Sequence, residues 1–233
     1  MSVLFARIYD TSAEFDDRYV PKLEGAIARW GGIIAPSVGN AIVGLFAEEV
    51  DKSLEASLSM LECFAGSQYA KGSTLHKKIG IGIDTGTLLS KTDNGGDVAH
   101  LPYIVKDTQY IAARVEALTQ VYETPLLITH RTFLQLSQTE GYHIRLIHRF
   151  EAENQRDPIS VFEVFNGDPI AIQTAKLETK TQFEQGLFLY FMGFVEEAEH
   201  LFEECLEINQ SDRVVQLYYE RCQASVLRVI GTV

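Results

Sequence analysis

Residues 31–46, GGIIAPSVGNAIVGLF, constrain the fold of this chain more than any other stretch. Two short apolar runs are joined through Gly39 and Asn40, the composition of a tight corner between antiparallel strands. The run before it, residues 16–30, carries Tyr19, Val20, Leu23, Ile27 and Trp30 at helical spacing and stops at the Gly31–Gly32 pair. A left-handed cap is expected there. Strand 2–8 (SVLFARI), this helix and the hairpin form an opening unit. A helix over 51–66, a strand and turn within HKKIGIGIDTGTLLS (76–90), a helix over 107–121 and a strand over 124–130 follow. Residues 143–150 and 158–165 alternate like an antiparallel pair. Because several consecutive strands are hairpin-linked, the order predicts an α+β sandwich and not a doubly wound parallel sheet.

The pattern changes after Pro169. Residues 176–227 contain no proline and keep helical periodicity throughout. Within this region Gly186, Gly193, Ala198 and Phe202 fall at the spacing of a tetratricopeptide repeat, with Gln210 where such a repeat often has proline. One repeat cannot bury its own apolar side, so that side must dock on the preceding domain, a second copy or a partner. The final helix, VVQLYYERCQASVLRVI, is placed to cap it.

Composition narrows the function. The net charge of −12 disfavours nucleic acid and anionic membranes. No apolar run reaches the length of a membrane span, and residues 1–10 lack the pattern of a signal peptide. Cys63, Cys205 and Cys222 match neither a disulfide framework nor a zinc spacing, so a reducing cytoplasmic setting is expected. His76, His100, His130, His143 and His148 show no metal-ligand spacing. Gly80, Gly82 and Gly86 do not have the spacing of a dinucleotide fingerprint, and Asp84 and Gly86 read as turn residues. The six glutamates between Glu196 and Glu207 read as a solvated helix face.

The strings VLFARI, GGIIAPSVGNAIVGLF, KIGIGIDTGTLL, VKDTQYIAARVEALT and PISVFEV, in this order, resemble the class III adenylate/guanylate cyclase catalytic domain over residues 1–165. The resemblance implies a cyclase-like sandwich with a ferredoxin-like core over residues 1–168, followed by a tetratricopeptide-like helical hairpin appendage over 176–229. It also implies a dimer whose site lies between subunits. There two aspartates would hold divalent cations, a lysine and a second residue would read the base, and an asparagine and an arginine would steady the ribose and triphosphate.

Followed residue by residue, that set is largely missing. The two metal aspartates fall on Arg7 and Asn40. The phosphate-turn glycine falls on Asp10, the base-reading positions on Pro36 and Tyr103, and the ribose asparagine on Tyr110. The transition-state arginine survives as Arg114, and a late lysine falls near Glu153. The resemblance therefore implies a homologue without metal, cofactor or turnover, acting as a homodimeric regulatory or protein-binding module.

Two alternatives remain open. In one, Arg7, Lys106 and Arg114 bind a nucleotide or other anion. In the other, the chain lends Arg114 to a metal-bearing cyclase subunit. For Arg7 the competing structural role is an ion pair with Asp10, Asp107 or Glu116. Asn40 has a competing role as a turn residue, Tyr103 and Tyr110 as pocket filling, and Arg114 as an interface ion pair.

Overall fold

A computed structural model describes residues 1–9, 13–38, 40–47, 49–65, 79–86, 105–152 and 157–230. The chain divides into two compact units, Met1–Gly141 and Tyr142–Val233. The boundary expected from sequence, at residue 168, lies inside the second unit.

In the first unit, β1 (Ser2–Ile8) is the central strand. Its neighbours are β3 (Ala41–Phe46) on one side and β4 (Ile79–Thr85) on the other, both antiparallel to it. β2 (Ile33–Val38) extends the sheet beyond β3, and β5 (Leu126–Thr129) lies parallel to β4. With helices α1 (Ala13–Arg29) and α2 (Val50–Ala65), the order β1-α1-β2-β3-α2-β4 and the sheet order β2-β3-β1-β4 make the expected ferredoxin-like core. α1 ends as its glycines require. Gly31 has φ 76°, and the Gly32 N–H donates to the Ile27 carbonyl. The 76–90 stretch is described only in part: 79–85 is strand, and its expected continuation lies outside the described residues.

Helix α3 (Val105–Tyr122) lies across β4, β1 and β5. The alternation of β4 explains how close it comes. Ile79, Ile81 and Ile83 fill one face of the strand, while Gly80 and Gly82 leave the other bare. A Cβ on Gly82 would stand 2.3 Å from the Ala112 carbonyl oxygen and 2.3 Å from the Glu116 amide nitrogen. The helix backbone therefore rests directly on the strand. A four-residue helix α4 (His130–Phe133) follows β5, its first turn capped by the Thr129 hydroxyl.

In the second unit, β6 (Ile144–Phe150) and β7 (Ile159–Val164) pair antiparallel with an irregularity at Ile147. Three helices follow: α5 (Ile170–Met192), α6 (Val195–Ile208) and α7 (Arg213–Ile230). α5 starts six residues before the helical region expected from composition. It ends at Gly193, whose φ of 87° lets Gly193 and Phe194 donate to the Tyr190 and Leu189 carbonyls. A Cβ on Gly186 would meet the Phe202 ring at 2.7 Å, so the missing side chain sets the approach of α5 to α6. Phe183, Phe202 and Tyr218 fill the space between the three helices, with ring centroids 5.7–6.3 Å apart.

Charge also joins these helices to the hairpin. Arg145 on β6 is wholly buried. Its Nε donates to Glu163 on β7 at 2.6 Å, and both terminal nitrogens donate to Asp212, at 2.6 and 2.9 Å. Lys176 on α5 bridges Glu163 and Asp168 at 2.5 and 2.6 Å. The cluster holds two cations and three carboxylates. Burial raises the pKa of Asp168, while Arg145 holds that of Asp212 below the ordinary value against burial. Beside the bulge, the Leu146 amide donates to Glu184, and the Tyr218 hydroxyl donates to the Ile147 carbonyl at 2.8 Å. Among the described residues, no helix is long and apolar enough to cross a membrane.

Candidate functional site

The end of β1 and the β2–β3 corner come together because Arg7 lies opposite Ala41 in the antiparallel register. Asn40 then stands beside Ile8, and its side-chain amide donates to the Ile8 carbonyl. The backbone completes the closure, with the Ile8 amide donating to the Asn40 carbonyl at 3.4 Å. Asn40 thus ties the corner to the strand end. Pro36 is exposed on β2.

Arg7 points toward α3. Its Nε donates to Glu116 at 3.0 Å, and the guanidinium lies 5.7 Å from the Phe5 ring centroid. The Tyr9 hydroxyl donates to the second Glu116 oxygen. The Glu116 side chain is fully buried, whereas Arg7 is 40% exposed. Of the three acids the sequence offers Arg7, the structure pairs it with Glu116. Burial raises the Glu116 carboxyl above its ordinary value; the hydrogen bond from Tyr9 and the charge of Arg7 oppose this. Burial and the neighbouring Glu116 raise the Tyr9 phenol as well.

A titration follows. A carboxyl whose folded pKa is raised contributes stability that is present below its unfolded value of 4.5 and is lost as pH rises through the folded value. Glu116→Gln does not titrate. The stability of the native chain relative to Glu116→Gln is therefore expected to grow as pH falls toward 4.5. Thermal melts of both proteins across pH 4.5–8 read this, and a difference independent of pH refutes the assignment.

Tyr110 and Arg114 occupy successive turns of α3. Tyr110 is 58% exposed and Arg114 half-buried. Lys106 belongs to α3, but its side chain lies outside the described residues, as do Asp10, Tyr103 and Glu153. The described part of the site therefore brings together Arg7, Asn40, Tyr9 and Glu116. Tyr9 carries no sequence signal beyond its place two residues after Arg7.

Asp84 differs from its reading as a turn residue. It is a buried strand residue that accepts from the Thr129 hydroxyl at 2.7 Å and from Arg131 Nε and Nη2 at 3.0 and 2.5 Å. Arg131, from α4, has no spacing signal relative to β4; the parallel pairing of β4 with β5 brings it there. Among the described residues, no group of three or more His, Cys, Asp or Glu side chains is arranged to hold a metal ion.

Strand order and helix placement define the class of fold, that of the class III cyclase domain. Among solved structures, a bacterial light-regulated adenylyl cyclase matches over 71% of this chain and 51% of its own, with TM-score 0.53 and 20% identity.

In sequence, the chain is 24% identical over 222 residues to the Dictyostelium discoideum adenylate cyclase described as terminal-differentiation specific. That match takes in 92% of this chain and 10% of that protein. It is 29% identical over 159 residues to an adenylate cyclase of Anabaena cylindrica, covering 64% of this chain and 31% of that one. The chain is thus similar to these adenylate cyclases and spans less than a third of the length of each. No family model matches it. The 92% coverage extends past Pro169 into the helical region.

Proposed function

We propose that this chain is a catalytically inactive relative of class III nucleotide cyclases, acting as a dimeric regulatory or protein-interaction module in the cytoplasm. In this reading residues 1–168 are the cyclase homology domain, and 176–229 a tetratricopeptide-like extension. The observation that carries it is the Arg7–Glu116 pair. Where the resemblance puts a metal-binding aspartate, this chain has a cation already paired with a buried carboxylate. A divalent ion meets positive charge there and, at Asn40, an amide whose nitrogen is engaged with Ile8. Metal-assisted cyclisation needs both activation of the attacking hydroxyl and neutralisation of phosphate charge. The two replacements remove the ligands for both.

The same pair weighs against an anion sensor, because the charge of Arg7 is compensated by Glu116. The helical extension supports the interaction role. The close approach of Gly186 to Phe202 and the left-handed turn at Gly193 fit a repeat of this kind, in a hairpin with apolar side chains left exposed.

The purified chain, incubated with ATP or GTP and Mg²⁺ or Mn²⁺, is expected to yield no cyclic nucleotide above a no-protein control. Adding it to a metal-bearing cyclase subunit is expected to give no gain. Turnover by the native chain overturns the reading.

A further inference from the structure

Helix α5 is apolar on two opposite faces. Lys176, Thr179, Phe183, Gly186 and Leu187 are buried within the second unit. Half a turn around the helix stand Ile170, Thr174, Leu177, Thr181, Phe188 and Met192, all exposed. Ile170 is 81% exposed, Phe188 63% and Met192 56%. At roughly 100° per residue these six fall within about 60° of one another. Gln185 stands at the edge of the stripe, and none of its members is charged.

The stripe has a symmetry of its own. Counting Gln185, its spacings read 4, 3, 4, 4, 3, 4, the same in both directions about Thr181. A contact across a two-fold axis requires a surface complementary to itself. Two antiparallel copies of this stripe meet that requirement. In that arrangement Ile170 would face Met192 of the partner subunit, Thr174 would face Phe188 of the partner subunit, Leu177 would face Gln185 of the partner subunit, and Thr181 would lie on the axis.

Charge favours the same occupant. α5 holds Lys176, Lys180, Glu178 and Glu184, two of each sign, whereas α6 carries six glutamates and no lysine or arginine. In a chain of net charge −12, a neutral helix can approach its own copy without the repulsion α6 would bring. A basic peptide would be drawn to α6 instead.

We propose that the outward stripe of α5 is an antiparallel helix–helix seam between two copies of this chain. This deepens the dimeric part of the proposed function and names its surface.

The test is cross-linking of the full chain under mild oxidation, with Cys63→Ser to remove the partly exposed thiol; Cys205 and Cys222 are buried. Thr181→Cys is expected to form a disulfide-linked dimer. Ile170→Cys alone is expected to stay unlinked despite its greater exposure, because its two copies would lie about 33 Å apart along the seam. A mixture of Ile170→Cys and Met192→Cys chains is expected to link one to the other. Failure of Thr181→Cys to link, or linkage of Ile170→Cys to itself, overturns the seam. Cyclic nucleotide production by the native chain would overturn the inactive reading and leave the seam standing. A silent chain without the Thr181→Cys link would do the reverse.

Discussion

Arg145→Ala is expected to destabilise the second unit by about 3–5 kcal/mol, the loss typical when one partner is removed from a buried ion pair. The wild-type guanidinium satisfies Glu163 through Nε and Asp212 through its terminal nitrogens, with no exposure to water. Alanine leaves both carboxylates in a low-dielectric setting, with Lys176 the one remaining cation of the cluster. It also opens a cavity beside Phe183, whose ring centroid lies 4.9 Å from the guanidinium carbon. Arg145→Lys keeps the charge but cannot form the two-pronged contact to Asp212, so an intermediate loss is expected. Denaturant titration of the three proteins measures this. A cost below about 1 kcal/mol for alanine would mean the cluster does not hold the hairpin to the helices.

Gly82→Ala is expected to cost about 3 kcal/mol or more, at or beyond the upper end of ordinary overpacking. The new methyl would stand 2.3 Å from two backbone atoms of α3, and a helix backbone cannot yield as a flexible side chain can. α3 would have to lift from β4, carrying Glu116 away from Arg7 and Tyr9. Gly25, in the interior of α1 with nothing within 4 Å of a Cβ, is the control. There alanine is expected to stabilise by about 0.5–1 kcal/mol, because it restricts the unfolded backbone and favours helix. Equal effects at the two positions would refute the packing argument.

Most of the fold was legible because its signals are local. The Gly31–Gly32 stop, the β2–β3 corner and the helical periods of α2 and α3 depend on neighbours in sequence, and each element lies within a few residues of its expected place. Asp84 was misread for the opposite reason. In IGIDTG the acid sits two residues from a glycine on each side and resembles a turn residue, but its partner Arg131 arrives from another element through parallel pairing. The Arg145 cluster was invisible on the same ground, since Arg145 and Asp212 are 67 residues apart. Arg7 stood between these cases. Its candidate acids could be enumerated from sequence, but the choice of Glu116 depends on the register of β1 against β4 and the close seat of α3.

The Glu184 and Tyr218 contacts to β6 have a consequence for the life of the chain outside its folded state. A strand with free amides and carbonyls along one side is a template for other chains, and the start of a growing aggregate. Here two of those groups are already occupied, at the point where the bulge disturbs the ladder. The helices supply what an invading strand would offer. Folding order matters for this reason: during synthesis β6 and β7 emerge before α5 and α7, and the hairpin is open to strangers until its own C-terminal helices arrive.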